Sequence, residues 1–179
     1  MLKKIKKIVL NIDSFLFKKF GSEKSTKFLE NMREANLIFS SLNEIGKETQ
    51  VRYVGGCVRK SLRGEEIDDI DLATSITPDQ VKKKLSDNGI QVIDTGISHG
   101  TVTAILNKKK FEITTLRKDI STDGRHANVE FTKNWQEDAS RRDFTINAIF
   151  ADIEGRILDP LNGVEDLQKG KVNFIGSPR

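Results

Sequence analysis

Apolar residues recur at helical spacing over residues 24–46: Phe28, Met32, Ala35, Leu37, Ile38, Leu42 and Ile45. That stripe predicts a helix packed on a domain, with Gly46 as its stop. The run Val51–Val54 is too short for a helix and predicts a strand. Gly55 and Gly56 turn it into a helix that reaches about Leu62, and Arg63 and Gly64 end that helix. Residues 67–73 predict a second strand. Thr77 before Pro78 is a hydroxyl cap with Pro at the first helical position, so a helix opens there and stops at Asn88 and Gly89. Residues 91–94 are a strand candidate. Residues 101–106 and 110–116 predict a β-hairpin turning at 107–109. Residues 117–128 are polar and contain Gly124, the pattern of a mobile loop, with a strand at 129–131 after it. Residues 135–149 read as helical. A hairpin at 150–152 and 156–158, a short helix at 164–168 and a last strand at 172–175 complete the pattern. This irregular alternation argues for an α+β fold, a mixed and mainly antiparallel sheet flanked by helices, over a doubly wound parallel sheet.

A chain of 179 residues with 36% hydrophobic and 31% charged residues can bury a proper core and is not of disordered composition. The net charge of +4 favours a polyanionic partner, weakly. The single cysteine, Cys57, excludes an intrachain disulfide and suits a reducing, cytoplasmic setting. No apolar run approaches the length of a bilayer span, so no stable membrane insertion is expected. Residues 1–22 are basic and read as a tail or helix, and residues 23–179 as one domain.

The candidate chemistry centres on residues 53–74, YVGGCVRKSLRGEEIDDIDLAT. Strand alternation puts Asp69 and Asp71 on one face. Two adjacent acids repel, and the pair reads either as a ligand set for a hard cation such as Mg²⁺ or as a solvated strand end. Gly55 and Gly56, 14 residues upstream of the acids, expose backbone N–H groups where a strand becomes a helix, a geometry that cradles phosphate. Carboxylates and phosphate cradle together point to metal-assisted chemistry on a nucleoside triphosphate. Such sites use a third acid, and Glu112, within an otherwise apolar strand, is the candidate. Its bland alternative is an edge-strand charge facing water. In RRDFTIN, residues 141–147, Arg141 and Arg142 can grip phosphates through their planar forks. Asp143 could orient an arginine or accept from a ribose hydroxyl, and Asn147 would share its helical face. The alternative is a surface ion-pair cluster. Arg59 lies one helical turn from the glycines, within reach of a triphosphate. Cys57 reads as a packing residue, and Tyr53 and Trp135 as core or edge packing.

These segments, with ISHGTVTAIL, FEITTLR, DGRHANVEF, EDASRRDFTINAI and ILDPLNGVEDL, together resemble the catalytic head of bacterial tRNA nucleotidyltransferases, the CCA-adding enzymes, and the related bacterial poly(A) polymerases. The resemblance runs from about Arg52 to the end. It implies a polymerase-β-like nucleotidyltransferase head. In that family's pattern Gly56 and Arg59 would bind the incoming nucleotide, and Asp69 and Asp71 would hold Mg²⁺. Arg142 would contact the nucleotide, with Arg141, Asp143 and Asn147 shaping the site. The implied reaction is attack of the 3′ hydroxyl of a tRNA on the α-phosphate of CTP or ATP. Two departures stand out. The family pattern GGxVRD has an acid where this chain has Lys60. The family also continues into a helical neck, body and tail, whose ED-x-x-R segment selects the base. The expectation is therefore a head alone, needing a separate C-terminal polypeptide. The alternatives are a poly(A) polymerase-type RNA adenylyltransferase and a non-catalytic nucleotide- or RNA-binding remnant.

Overall fold

The structure, a computed structural model, describes residues 32–43, 50–122 and 127–176. The expected basic tail, and Phe28, Ile45 and Gly46 of the first helix, lie outside the described residues. Helix α1 is Met32–Leu42. Ala35, Ile38, Phe39 and Leu42 are its buried face, at i, i+3, i+4 and i+7. Leu37, expected in the stripe, points away from that face and is 55% exposed; Phe39 takes the core position.

Strand β1 (Val51–Val54) leads into α2 (Gly56–Arg63), then β2 (Ile70–Thr74), α3 (Pro78–Asp87), β3 (Gln91–Gly96), β4 (Thr101–Leu106) and β5 (Lys109–Thr115). These strands, with β8 (Phe150–Ala151) and β9 (Ile157–Leu158), form one seven-stranded sheet in the order β3-β4-β5-β2-β1-β8-β9. Every neighbouring pair is antiparallel except β2 with β5. The mixed, mainly antiparallel sheet of an α+β fold is thus present. The β4–β5 turn is tighter than expected. Asn107 and Lys108 both have positive φ, 50° and 66°, as a two-residue hairpin turn requires.

Alternation divides the sheet into two faces. On one, Val51 and Tyr53 of β1, Ile70 and Leu72 of β2, Val102 and Ala104 of β4, and Phe111 and Ile113 of β5 join the main core. Ile38 and Leu42 of α1, Cys57 and Val58 of α2, and Val81 and Leu85 of α3 cover them. The other face carries a smaller cluster, Val54, Ala73, Leu116, Ala139, Ala148 and Phe150, with Trp135 against it. Beside that cluster the face is open and polar, and the candidate chemistry lies there.

Three expectations about local structure change. The polar stretch after residue 116 is strand where it is described: Arg117–Thr122 (β6) and Ala127–Phe131 (β7) pair antiparallel as a separate two-stranded ribbon, and Gly124 of the expected loop lies outside the described residues. Its described side chains are half-buried or exposed, Phe131 at 41%, and the run Arg117–Asp119 is wholly charged, so only the strand expected at 129–131 is marked by apolar residues. Its root is held where Leu116 is fully buried and its carbonyl accepts the Thr132 N–H at 2.9 Å. Residues 135–149 are also not one helix. Helix α4 covers only Trp135–Ser140, capped by Asn134, whose side chain accepts the Gln136 N–H at 2.9 Å. A bend and a 3₁₀ turn, Thr145–Asn147, follow. The Asp143 carbonyl accepts from Ile175 N–H at 3.0 Å, and Phe144 bridges to Phe174. These tertiary bonds replace the helical ones. The expected last strand is reduced to that single bridge. Helix α5 is Gly163–Gln168. Among the described residues no helix is long and apolar enough to cross a membrane.

Candidate active site

The strand pairing that sequence could not supply is β2 beside β5, parallel, with Asp71 opposite Glu112. Neighbouring strands lie about 4.8 Å apart, so two carboxylates stand side by side on the open face. Asp69 is not on the strand, which begins at Ile70; it is exposed on the approach to it. Asp71 is half-buried, and burial, then the Glu112 and Asp69 charges, push its carboxyl above the ordinary value, with Arg142 opposing. Arg117, Arg141 and Arg142 line the same cleft of about 230 Å³ as this acid pair, with Val54, Leu72, Thr101 and Thr114 completing the lining. Thr101 and Thr114 share a hydroxyl hydrogen bond of 3.0 Å, so the β4 side of the cleft is polar but uncharged.

Arg141 and Arg142 are fixed by Asp138, which lies in the segment EDASRRDFTINAI but carried no role in the sequence. Arg141 and Arg142 contact opposite oxygens of its carboxylate at 2.8 Å and 2.9 Å. Arg142 also lies over the Phe150 ring, 5.3 Å from its centroid. Asp143 is exposed and does not line the cleft. Because α4 has ended before it, it shares no helical face with Asn147. Asn147 reaches the site by another route: its side-chain oxygen accepts from Arg59, and its carbonyl from Arg142 at 3.4 Å. The 3₁₀ turn that carries Asn147 rests on α5. A Cβ on Gly163 would meet the Thr145 carbonyl oxygen at 2.2 Å, so only glycine permits this approach. The Asp159 carboxylate accepts the Gly163 and Val164 N–H groups at 2.8 and 2.9 Å.

Gly55 precedes α2 with φ 71° and ψ −124°, a conformation open essentially to glycine. Its N–H donates to Ile149 and its carbonyl accepts from Arg59 N–H, so the turn is tied to both sides of the site. Above Gly56 the space is open, with nothing within 4 Å of where a Cβ would stand. Cys57 behind it is buried, donates to the Val54 carbonyl at 3.3 Å, and has its thiol pushed up to about 11 by burial, so it packs and is not a thiolate nucleophile. Tyr53 is core, and Trp135 packs edge-on to Phe150. Lys60, at the position of the family's acid, pairs with Asp68 at 2.8 Å beside the aspartate strand.

The donor set suits a hard divalent cation. Among the described residues no three His, Cys, Asp or Glu side chains form a ready-made cage. Mg²⁺ does not need one, because it keeps waters and takes one or two carboxylates together with substrate phosphate oxygens. A half-buried carboxylate destabilised by two acid neighbours gains from a cation held there.

A family match described as Poly A polymerase head domain covers residues 51–173, which include the glycine turn, the acid pair and the arginines. The chain belongs to this head-domain family. The chain is 45% identical over 163 residues to human "CCA tRNA nucleotidyltransferase 1, mitochondrial", covering 90% of this chain and 36% of that protein. It is 40% identical over 143 residues to the CCA-adding enzyme of Lactobacillus helveticus, covering 79% of this chain and 34% of the relative. Among solved structures, the Bacillus stearothermophilus CCA-adding enzyme in complex with CTP superposes with a TM-score of 0.69 at 36% identity, over 81% of this chain and 33% of that one. A tRNA nucleotidyltransferase complexed with a primer tRNA and an incoming ATP analog gives 0.56 at 27% identity, over 71% of this chain and 36% of that one. The head domain therefore spans about a third of the length of the relatives it matches.

Proposed function

We propose that the head domain carries out Mg²⁺-dependent nucleotidyl transfer from CTP or ATP to the 3′ hydroxyl of a tRNA, as part of CCA-end addition or repair. It would work with C-terminal segments of the kind its longer relatives contain, supplied by a separate polypeptide if this chain lacks them. The observation that carries the reading is the in-register pair Asp71 and Glu112 lining one small cleft with Arg141 and Arg142. Supporting it, relatives at 45% and 40% identity are named as a CCA tRNA nucleotidyltransferase and a CCA-adding enzyme, and one structural neighbour was solved with CTP.

Asp69 and Asp71 would hold the metal. A bound Mg²⁺ lowers the pKa of an attacking hydroxyl and offsets charge on the triphosphate. The chain's own residues do the rest. Arg141 and Arg142 grip the phosphates. Arg59, anchored on Asn147, and the open backbone above Gly56 receive the far end of the phosphate chain. The 3′ oxygen bonds to the α-phosphorus as the α–β phosphoanhydride breaks and pyrophosphate leaves. Glu112, exposed beside Asp71, accepts the hydroxyl proton. Asp143, outside the cleft lining, would accept from a ribose hydroxyl. A net charge of +4 suits the polyanionic substrate. The single, buried Cys57 suits a reducing compartment, and we assign the cytoplasm.

The test is incorporation of labelled CTP and ATP into tRNA lacking its 3′ end, with and without a C-terminal segment from a relative added in trans. Incorporation of a short CCA end is the expected result. No incorporation in either case by folded protein refutes the proposal, and an Asp71→Ala chain of undiminished activity refutes the metal site. The family match favours one second reading, a poly(A) polymerase-type activity; long homopolymer products would decide for it. NTP binding without turnover would mark a non-catalytic module.

A further inference from the structure

The least expected group near the cleft is the Asp138 carboxylate. It is 1% exposed, and a buried acid beneath two arginines is seldom kept for stability alone, since apolar packing serves as well. One oxygen accepts from Arg141 Nε at 2.9 Å and from the backbone N–H of Arg117 at 3.2 Å. The other accepts from Arg142 Nε at 3.1 Å and Nη2 at 2.9 Å. Both guanidiniums thus use the same edge, Nε with Nη2, on Asp138. The opposite edge of each is left for other partners. On Arg142 that edge makes only the long contact to the Asn147 carbonyl, 3.4 Å.

The charge balance agrees with this geometry. Arg117 is held below the ordinary arginine value by burial and by the charges of Arg141 and Arg142, against which Asp119 and Asp138 act. The single Asp138 carboxylate is shared by Arg141 and Arg142, so it orients the two forks without neutralising both. Arg117 is also the first residue of β6, and its N–H bond to Asp138 ties the root of the ribbon to the same carboxylate.

We propose that Asp138 is a positioning residue that pre-sets the Arg141 and Arg142 forks for a phosphate chain and links their occupancy to the root of the β6–β7 ribbon. The inference rests on the nucleotide-binding reading above. Its physical content is pre-organisation: a planar fork already held along one edge loses less freedom when phosphate meets the other.

The experiment compares wild-type, D138N and D138E full-length chains by titration with CTP and CMP in Mg²⁺, with hydrogen exchange read at the Arg117 amide. Wild-type chain is expected to bind CTP, and CTP to slow Arg117 exchange. D138N is expected to lose about tenfold or more in CTP affinity, a difference of about 1.4 kcal/mol per decade. Its loss for CMP should be smaller, because a monophosphate meets fewer arginine donors. Its Arg117 amide should exchange faster and ignore CTP, and D138E should recover part of the affinity. D138N chain that binds CTP as tightly as wild type, or more tightly because a competing carboxylate is gone, overturns the inference while leaving the nucleotide reading intact. Failure of wild type to bind CTP overturns both. If D138N does not fold by circular dichroism, wild type and D138E decide: an Arg117 amide unaffected by CTP, or D138E equal to wild type in its CTP-to-CMP affinity ratio, overturns it.

Discussion

Gly55 and Gly56 look equivalent in sequence, and the structure predicts opposite responses to the same substitution. At Gly55, φ is 71° and ψ −124°, where an L-residue is strained. An added Cβ would meet only ordinary contacts, 3.7 Å to the Asn147 carbonyl oxygen and 4.0 Å to Arg142 Nη1. The cost of Gly55→Ala is therefore backbone strain with little overlap, about 1–3 kcal/mol. Against a domain stability of about 5–15 kcal/mol this is a large fraction. At about 2–4 °C per kcal/mol for a chain of this size, it lowers the melting temperature by about 2–12 °C. At Gly56 the backbone is helical and open, so Gly56→Ala should stay within about 0.5 kcal/mol of wild type. Nucleotide binding should then separate from stability. If phosphate approaches over Gly56, the methyl group occupies that space and CTP affinity falls with no change in melting. Thermal melts and CTP titrations of the two variants test this together. Gly55→Ala melting with wild type, or Gly56→Ala costing as much as Gly55→Ala, would refute the conformational argument. Gly56→Ala with wild-type CTP affinity would remove Gly56 from the phosphate path.

The raised Asp71 carboxyl carries a sign for pH dependence: the folded state binds its proton more tightly than the unfolded chain, so stability falls as pH rises from the ordinary carboxylate value through the raised one. Metal-free Asp71→Asn should accordingly melt above wild type at neutral pH, the gap closing in acid below the ordinary carboxylate range. Added Mg²⁺ should raise the wild-type melting temperature only; equal shifts in both chains would argue against a metal at Asp71. Gly163→Ala drives a methyl group into the Thr145 carbonyl, 2.2 Å away, and should destabilise by about 1–3 kcal/mol in urea melts while weakening CTP binding through the displaced Asn147. A variant as stable as wild type would show that α5 does not support that turn.

Much of the fold was legible because its signals are local. The cap at Thr77 and Pro78, the β4–β5 hairpin and the alternation of β5 are written in neighbouring residues, and the main core follows from them. Signals failed where local pattern and long-range bonding part company. In the ribbon β6–β7 only the end of β7, at Val129 and Phe131, carries an apolar signal; β6 opens on the charged run Arg117–Asp119 and is not marked. The stretch after α4 has a helical pattern, yet the Asp143 carbonyl bonds to Ile175 and the turn packs on Gly163. Leu37 and Phe39 both sit among apolar neighbours, and only the direction of the core shows which is buried.

For the site, residue types and spacing near Gly55, Gly56, Asp69 and Asp71 are enough to name a phosphate-and-cation chemistry, because such chemistry draws on few side chains. Partnership was beyond them. Asp71 meets Glu112 only through the one parallel pairing in the sheet, between strands 41 residues apart at the paired positions (71 and 112). Arg141 and Arg142 line the same cleft as that pair because α4 stops and its Asp138 turns their forks, a contact invisible in a run of charges. Sequence alone determined which groups are available. The tertiary structure decided which of them share a cleft, since strand register and a buried carboxylate are set by packing across the whole sheet.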